Sequence, residues 1–201
     1  MYRSCAFCVI FGLLITGAWC NEELGHPALL FGASFERPPV LRFLPGSRKT
    51  ILFPAYVNGR GDCTPVGSQG IPNPRSWDAF LKESSERTSL LLATIDPKLV
   101  SDQRGVIQMA LIVSDNPITA SCILAPGFLQ RFSAIFGPEL LIVIPARNRI
   151  YVFPKLANRM TTMTDTIRDD YKISPMPVST EVFELTRRGL KTVGTLETSD
   201  E

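Results

Sequence analysis

Residues 139–153 read ELLIVIPARNRIYVF, and this stretch restricts the fold more than any other part of the chain. From Glu139 to Ile144 the run is almost continuously apolar, which is the pattern of a strand covered on both faces. Ile150 to Phe153 supplies a partner strand across the turn Pro145-Ala146-Arg147-Asn148. A hairpin that apolar belongs at the centre of a sheet, so the rest of the chain has to provide flanking strands and helices to cover it.

The flanking sequence offers such elements. Thr50 to Val57 predicts a strand that runs into a Gly-, Pro- and Asn-rich loop, Asn58 to Ser76. Ser76 suits a helix N-cap, with Trp77, Phe80 and Leu81 on one face and an end near Arg87. From Thr88 the pattern reads as strands, TSLLLATI, GVIQMALIVSD and TASCILAP, the last two separated by Asp115-Asn116-Pro117, and these predict an antiparallel meander. Phe128, Leu129, Phe132, Ile135 and Phe136 recur at helical spacing between Pro126 and Gly137-Pro138. A further helix is expected from Ala157 to Tyr171, with Met160, Met163, Ile167 and Tyr171 inward, and then a hairpin of EVFELT and LKTVG. Strands and helices in this order predict an α+β fold: a mixed, mainly antiparallel sheet with two or three helices packed on it. Leu141, in the apolar strand, is expected in the core.

The N-terminus carries a secretory pattern. Arg3 precedes an uncharged stretch from Ser4 to Asn21 whose apolar heart, Ala6 to Ile15, is short of the roughly 20 residues a bilayer crossing needs. The small residues Thr16-Gly17-Ala18 permit cleavage after Ala18; cleavage after Cys20, or retention as a membrane anchor, fits as well. The predicted organisation is a signal peptide or anchor over 1–18, an irregular arm with the Gly/Pro-rich loop over 19–87, the α+β domain over 88–196 and a disordered tail over 197–201. With a formal charge of +2 and Lys and Arg scattered along the chain, no nucleic-acid footprint exists. Membrane association is expected only through the N-terminal segment, and the partner expected is an unknown protein. Cys5 and Cys8 form a C-x-x-C pair inside the export segment, which disqualifies them as a redox motif. Cys63 could then pair with Cys122 or Cys20 in an oxidising compartment, or all could remain thiols.

One resemblance covers residues 104–194. ASCILAPGFLQRFSAIFGPELLIVIPARNRIYVFP, with its Leu-x-Pro-x-x-hydrophobic helix start and its strand ending in Pro-x-Arg, and DDYKISPMPVSTEVFEL further on, are similar to the YtpQ-like family of uncharacterised bacterial proteins. Where that family usually has an acidic residue after Pro-x-Arg, this chain has Asn148. The resemblance implies a domain without assigned activity, in relatives that are mostly cytosolic.

For catalysis the sequence offers little. The single histidine, His26, has no accompanying nucleophile signature, and too few Cys and His remain for a zinc site. Phosphate-binding glycine loops are absent, and no cofactor is implied. Glu83 with Glu86, Asp165 with Asp169 and Asp170, and Glu181 with Glu184 are the carboxylate pairs from which a hydrolase would draw acid and base; their plain role is solvated surface. Two features suit binding. Arg60-Gly61-Asp62 matches the tripeptide read by adhesion receptors and is also an ordinary turn, while Arg147-Asn148-Arg149 would set two guanidiniums at a hairpin tip, able to grip a carboxylate or phosphate. The expected function is a non-enzymatic, exported or tethered binding or envelope-associated module, with a carboxylate-dependent hydrolase as the alternative.

Overall fold

The structure is a computed structural model and describes residues 25–68, 76–156 and 159–197. Its strands are β1 (His26–Ala33), β2 (Arg42–Phe43), β3 (Thr50–Val57), β4 (Cys63–Pro65), β5 (Lys98–Ser101), β6 (Ile107–Val113), β7 (Leu140–Ala146), β8 (Arg149–Pro154), β9 (Glu181–Thr186) and β10 (Gly189–Thr195). The helices are α1 (Trp77–Thr94), α2 (Gly127–Phe136), α3 (Arg159–Thr162) and α4 (Thr164–Ile173), with short 3₁₀ turns at 34–36 and 120–124. The fold is α+β, and every ladder among the described residues is antiparallel.

The hairpin β7–β8 lies at the centre of a six-stranded sheet ordered β10-β9-β7-β8-β6-β5. Because side chains alternate across a strand, Ile142 and Ile144 of β7 and Ile150 and Val152 of β8 enter one core, together with Phe128 and Phe132 of α2 and Leu92 of α1. Val143, Tyr151 and Phe153 face the opposite side, where Ile167 of α4 and the flanking Met160 and Met163 cover them. Leu141 belongs to this second face and is only half-buried, whereas Leu140 and Ile142 are fully enclosed. The core position expected of Leu141 is therefore held by its neighbours.

The N-terminal third departs furthest from the sequence expectation. β1 to β4 form a second sheet, ordered β1-β3-β2 with β4 also on β3, in the segment read as an irregular arm. Leu29, Phe31 and Leu52 of this sheet join the same core as the central hairpin, while Ala28, Leu30, Ile51 and Phe53 on its other face build a separate cluster with Ile118. α1 then runs on through the expected boundary at Arg87 to Thr94, absorbing most of the predicted strand TSLLLATI. Phe80, Ser84, Thr88 and Leu92, four residues apart, are its buried row. A short apolar run fits either a buried strand or a helix flank, and here the helix, capped by Ser76 at the amide of Ala79, continues. TASCILAP is likewise no strand: the Asn116 side chain accepts from the Ile118 amide, Thr119 bonds back to the Asn116 carbonyl, and Ala120–Leu124 follows as a 3₁₀ turn. Of the predicted meander only β6 remains, flanked by β5 and β8.

The helix expected from Ala157 to Tyr171 is broken into α3 and α4 around Met163, and its first residues lie outside the described ones. The final hairpin β9–β10 forms as predicted, with a register shift between Thr192 and Gly194. Leu196 is buried, and Glu197 is held by Lys49 and Thr180. Residues 1–24 and the rest of the tail lie outside the described residues, so the leader, its cleavage and Cys20 do too. Among the described residues no helix is long and apolar enough to cross a membrane.

Candidate functional site

The arginines flanking Asn148 diverge because of strand alternation. Arg147 leaves the end of β7 toward the N-terminal sheet and is 8% exposed; its Nε donates to the Phe31 carbonyl at 3.0 Å and its Nη2 to the Glu36 carboxylate. The guanidinium lies 5.1 Å from the centre of the Phe53 ring. Gly32 makes room for this arrangement, since a Cβ there would sit 2.7 Å from Phe53 and 2.9 Å from Glu36. Arg149, on β8, turns to the other face and donates to Asp170 of α4, whose second carboxylate oxygen accepts from the Tyr151 hydroxyl. Burial, and then the adjacent Asp170, push the Tyr151 pKa up. The expected pair of free charges at the hairpin tip is thus two separate internal ties, one to each neighbouring layer.

The carboxylate pairs are also dispersed. Glu181 is buried and accepts from the Arg48 amide at 2.8 Å, the Thr50 amide at 3.0 Å, the Ser47 hydroxyl at 2.6 Å and the Thr50 hydroxyl at 2.7 Å. Desolvation alone would raise its pKa, but these donors outweigh it and hold the carboxyl below the ordinary range. Glu184, three residues on and so on the opposite face of β9, sits between Lys155 and Lys191, at 2.8 Å from each. The hydrogen bond from Lys155, then that from Lys191, lowers its pKa. Asp165 and Asp169 are exposed on α4, and Asp165 lies 3.7 Å from Arg168.

Of the described residues, the two cysteines Cys63 and Cys122 are free thiols. Cys122 is buried in the core on the 3₁₀ turn, and burial pushes its thiol up to about 12. Cys63 opens β4 on the other sheet, half-buried, with its thiol donating to the Gly61 carbonyl at 3.5 Å. Burial raises its pKa and the nearby Arg147 pulls it back only in part. The expected Cys63–Cys122 bridge fails because the two residues are built into different layers.

Two open clefts of note lie at the surface of the described residues. The larger, about 610 Å³, is lined by the row Glu139, Lys155, Glu184 and Lys191 and by Arg187 and Arg188 at the β9–β10 turn. The row follows from register: Lys191 pairs directly with Glu184, and Lys155 bridges to Glu139 at 2.7 Å. The smaller, about 390 Å³, lies where the β3–β4 turn meets α1 and the Asp115–Ile118 segment. His26 and Arg60 line it with Arg87, which the sequence marks only as the end of a helix.

The β3–β4 turn explains how Arg60-Gly61-Asp62 is used. The Asn58 side-chain oxygen accepts from the amides of Arg60 and Asp62, its amide nitrogen donates to the Asp62 carboxylate at 2.9 Å, and Gly61 takes a positive φ of 89°. Asp62 is thereby tied within the turn, while Arg60 and Gly61 border the cleft. Among the described residues no group of His, Cys, Asp and Glu is placed to hold a metal ion. Comparison with protein-family models, with curated proteins and with solved structures finds no match to this chain.

Proposed function

We propose that the chain is an exported or membrane-tethered binding module that acts without catalysis, taking a partner at its surface. The observation that carries this reading is the distribution of ionisable groups. Three of the candidate carboxylates are engaged: Glu181 by hydroxyls and amides, Glu184 by two lysines, Asp170 by Arg149 and Tyr151. At the small cleft Arg60 and Arg87 outnumber the single carboxylate of Asp115, which suits recognition more than proton transfer. Neither of the two clefts among the described residues brings a carboxylate pair together without lysines between, so the hydrolase reading draws no support from them. The YtpQ-like resemblance, which implies no activity, is compatible with a binding role. Export rests on the leader pattern read from residues 1–18.

A photo-crosslinking residue substituted for Gly59, where no atom lies within 4 Å of the added Cβ, tests the reading in the native host. A discrete adduct from Gly59 that is absent when the same residue replaces the exposed Gln130 of α2 is expected. Adducts of equal yield from both positions would contradict it, as would turnover of ester or phosphoester substrates abolished by Glu184→Gln.

A further inference from the structure

We propose that the small cleft is an oxyanion site that takes the phosphate group of a phosphorylated ligand; this rests on the binding reading and gives it a ligand class. The cleft's polar groups divide into committed and free. Asn58 is spent on the turn, and the Asn116 side chain on the Ile118 amide. The side chains of Arg60 and Arg87 have no hydrogen-bond or ion-pair partner among the described residues, although Arg87 is half-buried on α1. A guanidinium withdrawn from water and left without an acceptor is costly, and an incoming anion would supply the missing acceptors. The acid lining the cleft, Asp115, makes no ion pair with either: burial alone shifts Arg87, in the direction that disfavours its charge, with no carboxylate offsetting it. Two arginines against one aspartate leave the cleft net positive.

The walls favour phosphate over carboxylate. Arg60 comes from the β3–β4 turn and Arg87 from α1, so the two guanidiniums that line the cleft are carried by different elements. A carboxylate has two oxygens, enough to fill one fork; a phosphate has oxygens for both. Ala28, Val57 and Ile118 add apolar lining to the cleft, and the positive-φ Gly61 lies beside Pro117. His26 provides a further ring nitrogen at the same opening.

The test is a titration of the full isotopically labelled chain with inorganic phosphate, and with acetate for comparison, followed by NMR at the arginine side chains, the Gly61 amide and the His26 ring. Saturable shifts at Arg87, Arg60 and Gly61 are expected, with acetate weaker. Arg87→Gln and the exposed-turn variant Arg60→Gln should each weaken phosphate by about tenfold or more, the worth of a charge-assisted hydrogen bond. Shifts that do not saturate, acetate binding as tightly as phosphate, or unchanged affinity in both variants would overturn the proposal. Saturation confined to Lys155, Lys191 and Arg188 would also overturn it, by moving the anion to the larger cleft. A Gly59 adduct that forms without any phosphate effect would leave the binding reading standing and refute only this ligand.

Discussion

At the residue scale, charged side chains in this protein are mostly structural. Arg147 joins the end of the central hairpin to the N-terminal sheet, and its removal would leave the Glu36 carboxylate and the Phe31 carbonyl without their donor. Arg147→Ala should cost about 2–4 kcal/mol in a urea melt, at the lower end of buried-pair losses because Glu36 keeps some contact with water. Glu181 makes the same kind of tie from β9 to the 47–50 loop. Its folded-state pKa lies below its unfolded value, so its contribution is fully present above about pH 4.3 and is lost as pH falls through the folded value. Glu181→Gln should therefore destabilise the chain at pH 7 and flatten the loss of stability as pH falls below about 4.3, as followed by chemical denaturation at each pH. From the sequence, Arg147, Arg149 and the Glu181–Glu184 pair were legible as special residues but not by role. Which face of a strand a charge occupies depends on register, and the partners of Arg147 lie more than 100 positions earlier in the chain.

At the element scale, strands of unmistakable pattern were readable and short apolar runs were not. β7, β8, β9, β10 and α2 declare themselves by apolar continuity, by a tight turn or by phenylalanines at helical spacing. β1 does not, since HPALLFGA begins with a turn-like His-Pro and its pairing with β3 crosses a long loop. Its outer edge is also unusual: among the described residues no strand pairs there, and the Leu29 amide donates to Ser84 Oγ of α1 at 3.0 Å while the Leu29 carbonyl accepts from Ser121. These side chains blunt an edge that would otherwise invite pairing. Ser84→Ala should orphan a buried amide and cost about 1–3 kcal/mol, read from the denaturation midpoint. In β7, Ile142→Ala should cost about 2–5 kcal/mol, and Leu141→Ala distinctly less because it lies half-exposed on the α4 side. Equal losses would mean that the register of β7 is wrong by one residue.

At the scale of the whole molecule, the two sheets share one core, to which Leu29, Phe31 and Leu52 contribute from the first and Ile142, Val152 and Phe183 from the second. The division at residue 87 expected from the sequence therefore cuts through α1 and through the core. Composition gives no sign of this, because an N-terminal segment broken by prolines looks like an arm until its strands are paired. The candidate cleft was legible only in part: Arg60 and Gly61 stood out as a motif, but Arg87, His26 and Asp115 reach the same opening from elements far apart in sequence. The reading as an exported binding module is tested most directly by intact-mass measurement and fractionation of the full-length chain made in its native host. A chain beginning at Trp19 or Asn21 outside the cytoplasm, or an intact chain held in the membrane, is the predicted result. An intact chain free in the cytosol would contradict it.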